Sequence, residues 1–152
     1  PKGATLDGGD VVFFDDRYLI GRSTRTNKEG GDFLASHIKK DGYDSEFIEV
    51  PDSTLHLTTV CSSPREGTII AAEGHLKESQ LSAFAEEIIW IPNQESYASN
   101  TIGYSNDRLI IAAGFLKTKN ILQNEGFRLM SVDMAPIMQA DGSLTCLSVY
   151  TS

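Results

Sequence analysis

Only two cysteines, Cys61 and Cys146, occur in the chain, and neither sits in a CxxC pair or beside a histidine at ligand spacing. A zinc ribbon and a secreted disulfide framework are therefore not expected, and the setting that fits is reducing and cytoplasmic. Positive charge is also scarce, with 13 Lys and Arg against 21 Asp and Glu and a formal net charge of -8. The basic residues are scattered, so no stripe exists to follow a phosphate backbone, and nucleic acid is not an expected partner. Long apolar runs are missing too. The longest, "LIIAAGFL" and "EEIIWIP", fall well short of a bilayer's thickness, and no membrane crossing is expected. His37, His56 and His75 stand apart from one another and from carboxylate clusters, so no metal site is expected. The first residues, "PKGATLDGGD", hold neither an initiator Met nor a charged-then-apolar leader, and they read as a start at a processing boundary within something longer.

What is present is a chain of 152 residues with 40% hydrophobic content, enough for one core and one domain over 1–152. Read for pattern, it repeats three times, roughly over 4–51, 55–92 and 97–133. Each repeat offers two apolar runs around a polar turn ("FDDR", "SPREG", "SNDR"), then a helical stretch, then a short strand. The second run of each hairpin is strongly apolar and ends in Gly ("YLIG", "TIIAAEG", "RLIIAAG"), the pattern of a strand buried on both faces. In the first helix the spacing predicts a capping box from Thr26 to Glu29 and an end at Gly42. "HLKESQLSAFA" supplies the second helix, and the third is expected to start at Thr118 and stop at Gly126. Pro51 and Pro92 close the third strands of the first two repeats. A final strand over 143–150 is expected to stand apart and to close against an element the chain does not contain. One such unit cannot bury its own apolar face, so the repeats imply radial or stacked symmetry. The fold class is α/β.

Four segments place polar residues at predicted strand ends. "TLDGGD" sets Asp7 and Asp10 around a glycine pair that permits close backbone approach, either in a turn or at a ligand. "STLHLTTV" carries His56 between two leucines at the start of a predicted strand, where it serves either as a satisfied structural residue or as an acid/base. Arg22 and Arg25 in "GRSTRTN" precede a helix, where such charge is usually solvated and alternatively forms a carboxylate clamp. Cys146, after a flexible Asp-Gly-Ser, is either a small core side chain or a nucleophile. Converging repeats would bring a cysteine, a histidine and an aspartate together despite their distance in sequence.

Five segments, "TLDGGDVVFF", "IGRSTRTN", "LHLTT", "ESYASNTI" and "DGSLTCLSV", in this order and at these spacings, resemble the guanidino-modifying superfamily. That superfamily takes in arginine deiminases, amidinotransferases and dimethylarginine dimethylaminohydrolases, and the likeness is greatest to the catalytic half of the last branch. It runs from about Ala4 to Tyr150. The resemblance implies a pentein-like α/β propeller of ββαβ blades around a pseudo-fivefold axis. About three of its five blades would lie in this chain, with the active site in the central channel. It implies Cys146 as nucleophile, His56 as general acid/base and Asp7 as the acid beside the histidine. It further implies Arg25 as the partner of the substrate's α-carboxylate, and Ala140 as the source of a backbone carbonyl for its amino group. The reaction implied is hydrolysis of a C–N bond in the guanidinium of an Nω-methylated arginine. It would give citrulline and a methylamine through a covalent thiouronium on Cys146, with no cofactor and no metal. Arginine deiminase or amidinotransferase chemistry is the alternative within the superfamily, and a non-catalytic half-propeller serving assembly is a further one. In the family, the acidic residues that grip the guanidinium and a second arginine lie in an N-terminal half that this sequence lacks. The missing half, or a second copy of the chain, is therefore an expected partner.

Overall fold

The computed structural model describes residues 1–105 and 107–149. It contains three ββαβ units in succession, followed by a loop-rich tail. The first unit is β1 (Val11–Phe14), β2 (Arg17–Arg22), α1 (Lys28–Lys40) and β3 (Asp44–Glu49). The second is β4 (Cys61–Arg65), β5 (Thr68–Ala72), α2 (Glu78–Leu81) and β6 (Glu87–Ile91). The third is β7 (Ile102–Tyr104), β8 (Arg108–Ala112), α3 (Leu116–Asn124) and β9 (Arg128–Val132). A single turn, α4 (Ala135–Met138), follows.

Each unit forms its own three-stranded sheet, in which an antiparallel hairpin is joined by a parallel strand on the far side of its second member. The middle strand is flanked on both edges and covered on both faces, which is why β5 is apolar after Thr68 and buried at every position. The last strand of a unit sits at the sheet edge, and β9 is correspondingly exposed at four of its five residues.

The units are stitched together by shared cores. Phe14, Leu19 and Ile48 of the first unit pack in one cluster with Leu57, Ile69 and Leu81. Ile70, Ile89 and Ile91 of the second pack in another with Leu109, Ile111, Leu122 and Phe127 of the third. Polar contacts add to this. Asp15, at the β1–β2 turn with φ +53°, accepts from the Gly67 N–H at the β4–β5 turn. The Arg65 guanidinium bonds Glu87 at 2.9 Å and Asp107 at 3.3 Å, and it lies 4.4 Å from the centre of the Phe127 ring. Burial lowers the Arg65 pKa, but its hydrogen bonds to Glu87 and Asp107 together outweigh this and raise it above the ordinary value, the bond to Glu87 being the largest influence.

Several boundaries differ from those expected. The N-cap of α1 is Asn27, whose side chain accepts from the Gly30 N–H, instead of Thr26, because the Thr26 hydroxyl is buried and spent on Asp10. α2 is one turn, Glu78–Leu81, and the rest of "HLKESQLSAFA" continues as turns. α3 begins at Leu116, two residues before Thr118, while Gly126 with φ +87° marks its end as expected. "LHLTT" is not a strand: Leu57–Thr59 is a 3-10 turn that His56 enters. The closing strand over 143–150 is likewise not formed within the described residues, where Thr145–Leu147 is a 3-10 turn. Asn100 accounts for the difference, because it takes the Thr145 N–H that a ladder would need. Tyr150 of that expected strand, and Asn106 of the "SNDR" turn, lie outside the described residues. Among the described residues, no helix is long and apolar enough to cross a membrane.

Candidate active site

A cleft of about 1370 Å³ opens where β1, the hairpins of the first two units and the turn around Cys146 meet, and Asp7, His56 and Cys146 all line it. The three come from segments 49 and 90 residues apart in sequence, and only the tertiary fold unites them. Each is held by a different local device.

Asp7 caps the 3-10 turn Gly8–Asp10, accepting from the Gly9 N–H at 2.9 Å, and its own N–H donates to Thr26 Oγ1 at 3.0 Å. The preceding segment is latched to the start of α1, since Thr5 N–H donates to Asn27 Oδ1 and Asn27 N–H returns to the Thr5 carbonyl. A side chain at Gly30 would put its Cβ 1.9 Å from that carbonyl, so only glycine permits the latch. His56 lies across Gly9, whose missing Cβ would stand 2.7 Å from the imidazole Cγ. The ring is mostly buried, and Nδ1 is enclosed without a hydrogen-bond partner, with Asp7 Oδ1 at 3.8 Å. That separation is beyond a hydrogen bond but within ion-pair range once the ring is protonated.

Asp10, the second carboxylate of "DGGD", is fully buried. One oxygen accepts from Ser23 Oγ and Thr26 Oγ1, each at 2.7 Å, and the other from the Leu57 N–H at 2.9 Å. Three donors offset the cost of taking the carboxylate out of water. Asp10 thereby ties the loop carrying Arg25 to the backbone just after His56.

Cys146 is exposed, within Thr145–Leu147, and its Sγ lies 3.4 Å from Ser143 Oγ. Its turn is anchored twice. Tyr97 Oη donates to the Gly142 carbonyl at 2.8 Å; burial, and after it the proximity of Cys146, push the Tyr97 phenol up. Asn100 bonds the backbone of both turns, donating to the Thr58 carbonyl at 2.6 Å and accepting from the Thr145 N–H at 3.1 Å. Asn100 therefore fixes the His56 turn relative to the Cys146 turn. Cys61 also lines the cleft, but it is buried and its thiol is pushed up to about 12 by desolvation, so it stays protonated and inert at neutral pH.

Arg25 and Ala140 do not line the cleft. Arg25 is exposed in the β2–α1 loop and Ala140 is exposed after α4. The sequence singled out Asp10 without its part in tying two loops together, and it offered Asn100 only within "ESYASNTI". Both are short polar residues in turn-like contexts, and the one signal for them is their place within "DGGD" and "YASN". Among the described residues, no three His, Cys, Asp or Glu side chains come together as metal ligands.

Three ββαβ units, each an antiparallel hairpin with a parallel strand added after its helix, make the pentein fold of the amidinotransferase superfamily, and the chain belongs to it. Within the class, its similarity is to the dimethylarginine dimethylaminohydrolases. It is 31% identical over 145 residues to the one from Pseudomonas aeruginosa, covering 95% of this chain and 56% of that protein. It is also 31% identical over 146 residues to the one from Streptomyces coelicolor, covering 95% of this chain and 54% of that one. A solved structure of the Pseudomonas aeruginosa protein, a cysteine-to-serine mutant in complex with citrulline, superposes with a TM-score of 0.85 at 30% identity, over 95% of this chain and 55% of that one. An amidinotransferase from Microseira wollei, at 20% identity and a TM-score of 0.83 over 94% of this chain and 46% of that one, shares the fold. No family model matches the sequence. The chain spans about half the length of the curated relatives it matches.

Proposed function

We propose that this chain is the catalytic half of a cysteine-dependent hydrolase that cleaves a C–N bond of an Nω-methylated arginine, giving citrulline and a methylamine. The observation that carries the reading is the convergence of Asp7, His56 and Cys146 on one cleft. The bound citrulline of the Pseudomonas aeruginosa structure supports the product class.

A guanidinium carbon is a poor electrophile because its charge is delocalised, so the attack calls for a thiolate. The cationic substrate favours that form by bringing positive charge to the sulfur. Cys146 Sγ forms the C–S bond, and the C–N bond to the methylated nitrogen breaks as His56 gives it a proton, releasing the amine and leaving a thiouronium. Water then attacks the same carbon and passes a proton to His56. The C–S bond breaks with its electron pair returning to sulfur, the second proton of the water leaves to solvent, where the released amine takes it up, and the neutral ureido group of citrulline is complete. Asp7 stabilises the charged imidazole through the ion-pair distance to Nδ1. Arg25 is assigned the substrate's α-carboxylate and Ala140 a backbone carbonyl for its amino group; both rest on the resemblance of their segments. The remaining blades would complete the grip on the guanidinium.

The test is intact-mass spectrometry of the complete enzyme carrying this chain, incubated briefly with asymmetric dimethylarginine and quenched in acid. The expected result is a substrate adduct mapping to Cys146, with citrulline in solution, and neither in Cys146→Ser. An unmodified Cys146 with no citrulline refutes the hydrolase. Citrulline released with ammonia from arginine, but not from the methylated compound, moves the chain to the deiminase branch.

A further inference from the structure

We propose that Ser143 is a positioning residue that donates a hydrogen bond to the Cys146 thiolate, as the last member of a directed relay that begins at Asn100. The relay deepens the reading of Cys146 as nucleophile and rests on it.

Asn100 fixes the first step of the relay. Its amide orientation is fixed by two backbone partners with no choice of role: the Thr145 N–H can only donate, so Oδ1 faces it, and the Thr58 carbonyl can only accept, so Nδ2 faces it. The second proton of Nδ2 then points to Thr145 Oγ1 at 2.9 Å. Asn100 is almost wholly buried, which removes water as a competitor. With one lone pair occupied by that donor, the Thr145 hydroxyl keeps a second lone pair and its own proton, and Ser143 Oγ lies 3.5 Å away, with either hydroxyl able to donate. Ser143 Oγ in turn is 3.4 Å from Cys146 Sγ, a normal reach for an O–H donor to sulfur. Ser143 is itself buried. A thiolate can only accept, so a Cys146 thiolate takes the Ser143 proton and leaves Ser143 Oγ to accept from Thr145; every hydroxyl proton is then used once, and hydrogen bonding to the charged form favours that form. The same contacts hold Sγ at a fixed place while the remainder of its turn is exposed.

The test is the rate of iodoacetamide alkylation at Cys146 as a function of pH, read by peptide mass spectrometry. This readout needs neither substrate nor turnover, and buried Cys61 is the internal control for folding. Ser143→Ala is expected to slow alkylation at neutral pH about fivefold and to move the pH-rate curve toward alkaline pH, since the thiolate loses a donor. Ser143→Thr, which keeps the hydroxyl, is expected to restore the curve of the parent. Thr145→Val, which keeps the shape and breaks the relay one step earlier, is expected to move the curve in the same direction by a smaller amount. It decides the matter if Ser143→Ala exposes Cys61 to label. A Ser143→Ala curve that superimposes on the parent's overturns the proposal, as does equal slowing by Ala and Thr, which marks a packing effect. A protein that shows the shift yet releases no citrulline refutes the hydrolase reading and leaves the relay standing.

Discussion

The imidazole of His56 occupies the space a Cβ on Gly9 would fill, 2.7 Å from that position. At the residue scale this makes Gly9 as much a part of the site as the side chains proposed to react. Gly9→Ala is expected to push the ring aside, and because a displacement of about an ångström at a catalytic group can cost on the order of 10²-fold, kcat should fall by that order. The melting temperature should hardly change; a kcat equal to that of the parent would show the ring's place to be unimportant. His56→Gly removes the only proposed carrier for both proton transfers, and turnover should drop by about 10²- to 10⁴-fold, measured as citrulline formed. Asp10 acts differently, through structure. In Asp10→Ala the buried Leu57 N–H and the Thr26 hydroxyl lose their acceptor, and unmet buried donors cost about 1–3 kcal/mol each. A urea-unfolding midpoint lowered by a corresponding amount is expected, and an unshifted midpoint would mean that water replaces the carboxylate.

At the scale of elements, the connections between strands matter more than the strands. Helix α3 offers its first N–H groups with no cap of its own, and Glu95, from the link between β6 and β7, supplies one. Its carboxylate accepts from the Thr118 N–H and hydroxyl, each at 2.7 Å, and from the Lys117 N–H at 3.3 Å. Burial pushes the Glu95 carboxyl up, but these hydrogen bonds outweigh it and hold the group below the ordinary glutamate value. A carboxylate depressed on folding contributes stability that is present above its unfolded pKa and is lost as pH falls through the folded one. Glu95→Gln should accordingly be less stable than the parent at neutral pH, with the gap closing as the solution is taken below the normal glutamate range. A pH-independent difference in melting temperature would contradict this origin. The turns bearing His56 and Cys146 follow the same rule: their alternating apolar residues predict strand, and both form 3-10 turns because side chains, chiefly Asp10 and Asn100, take over their backbone groups.

For the whole molecule, the units are coupled by cores that no unit completes alone. Leu109 of β8 is fully buried in a cluster shared with Ile70, Ile89 and Ile91 of the second unit. Leu109→Ala should therefore cost about 3 kcal/mol and lower the stability of the second and third units together. Circular dichroism and hydrogen exchange on β5 and β8 should report one transition, whereas separate transitions would show units that fold independently. The threefold pattern itself was plain in the residues, since turn signals, apolar middle strands and terminal glycines recur in each unit. The helix ends at Gly42 and Gly126 were legible too, because a left-handed residue after a helix leaves few choices besides glycine.

The sequence by itself determined the α/β class and the three ββαβ units, and it singled out Asp7, His56 and Cys146 as candidates, because periodicity and motif are local properties written into consecutive residues. The tertiary structure alone decided that Asp7, His56 and Cys146 share a cleft while Cys61, equally plausible as a lone cysteine, is sealed and inert. It also decided that Asp10 and Asn100 set the positions of the others. These are matters of which distant backbone groups a buried polar side chain satisfies, and no window along the chain contains both partners of such a bond.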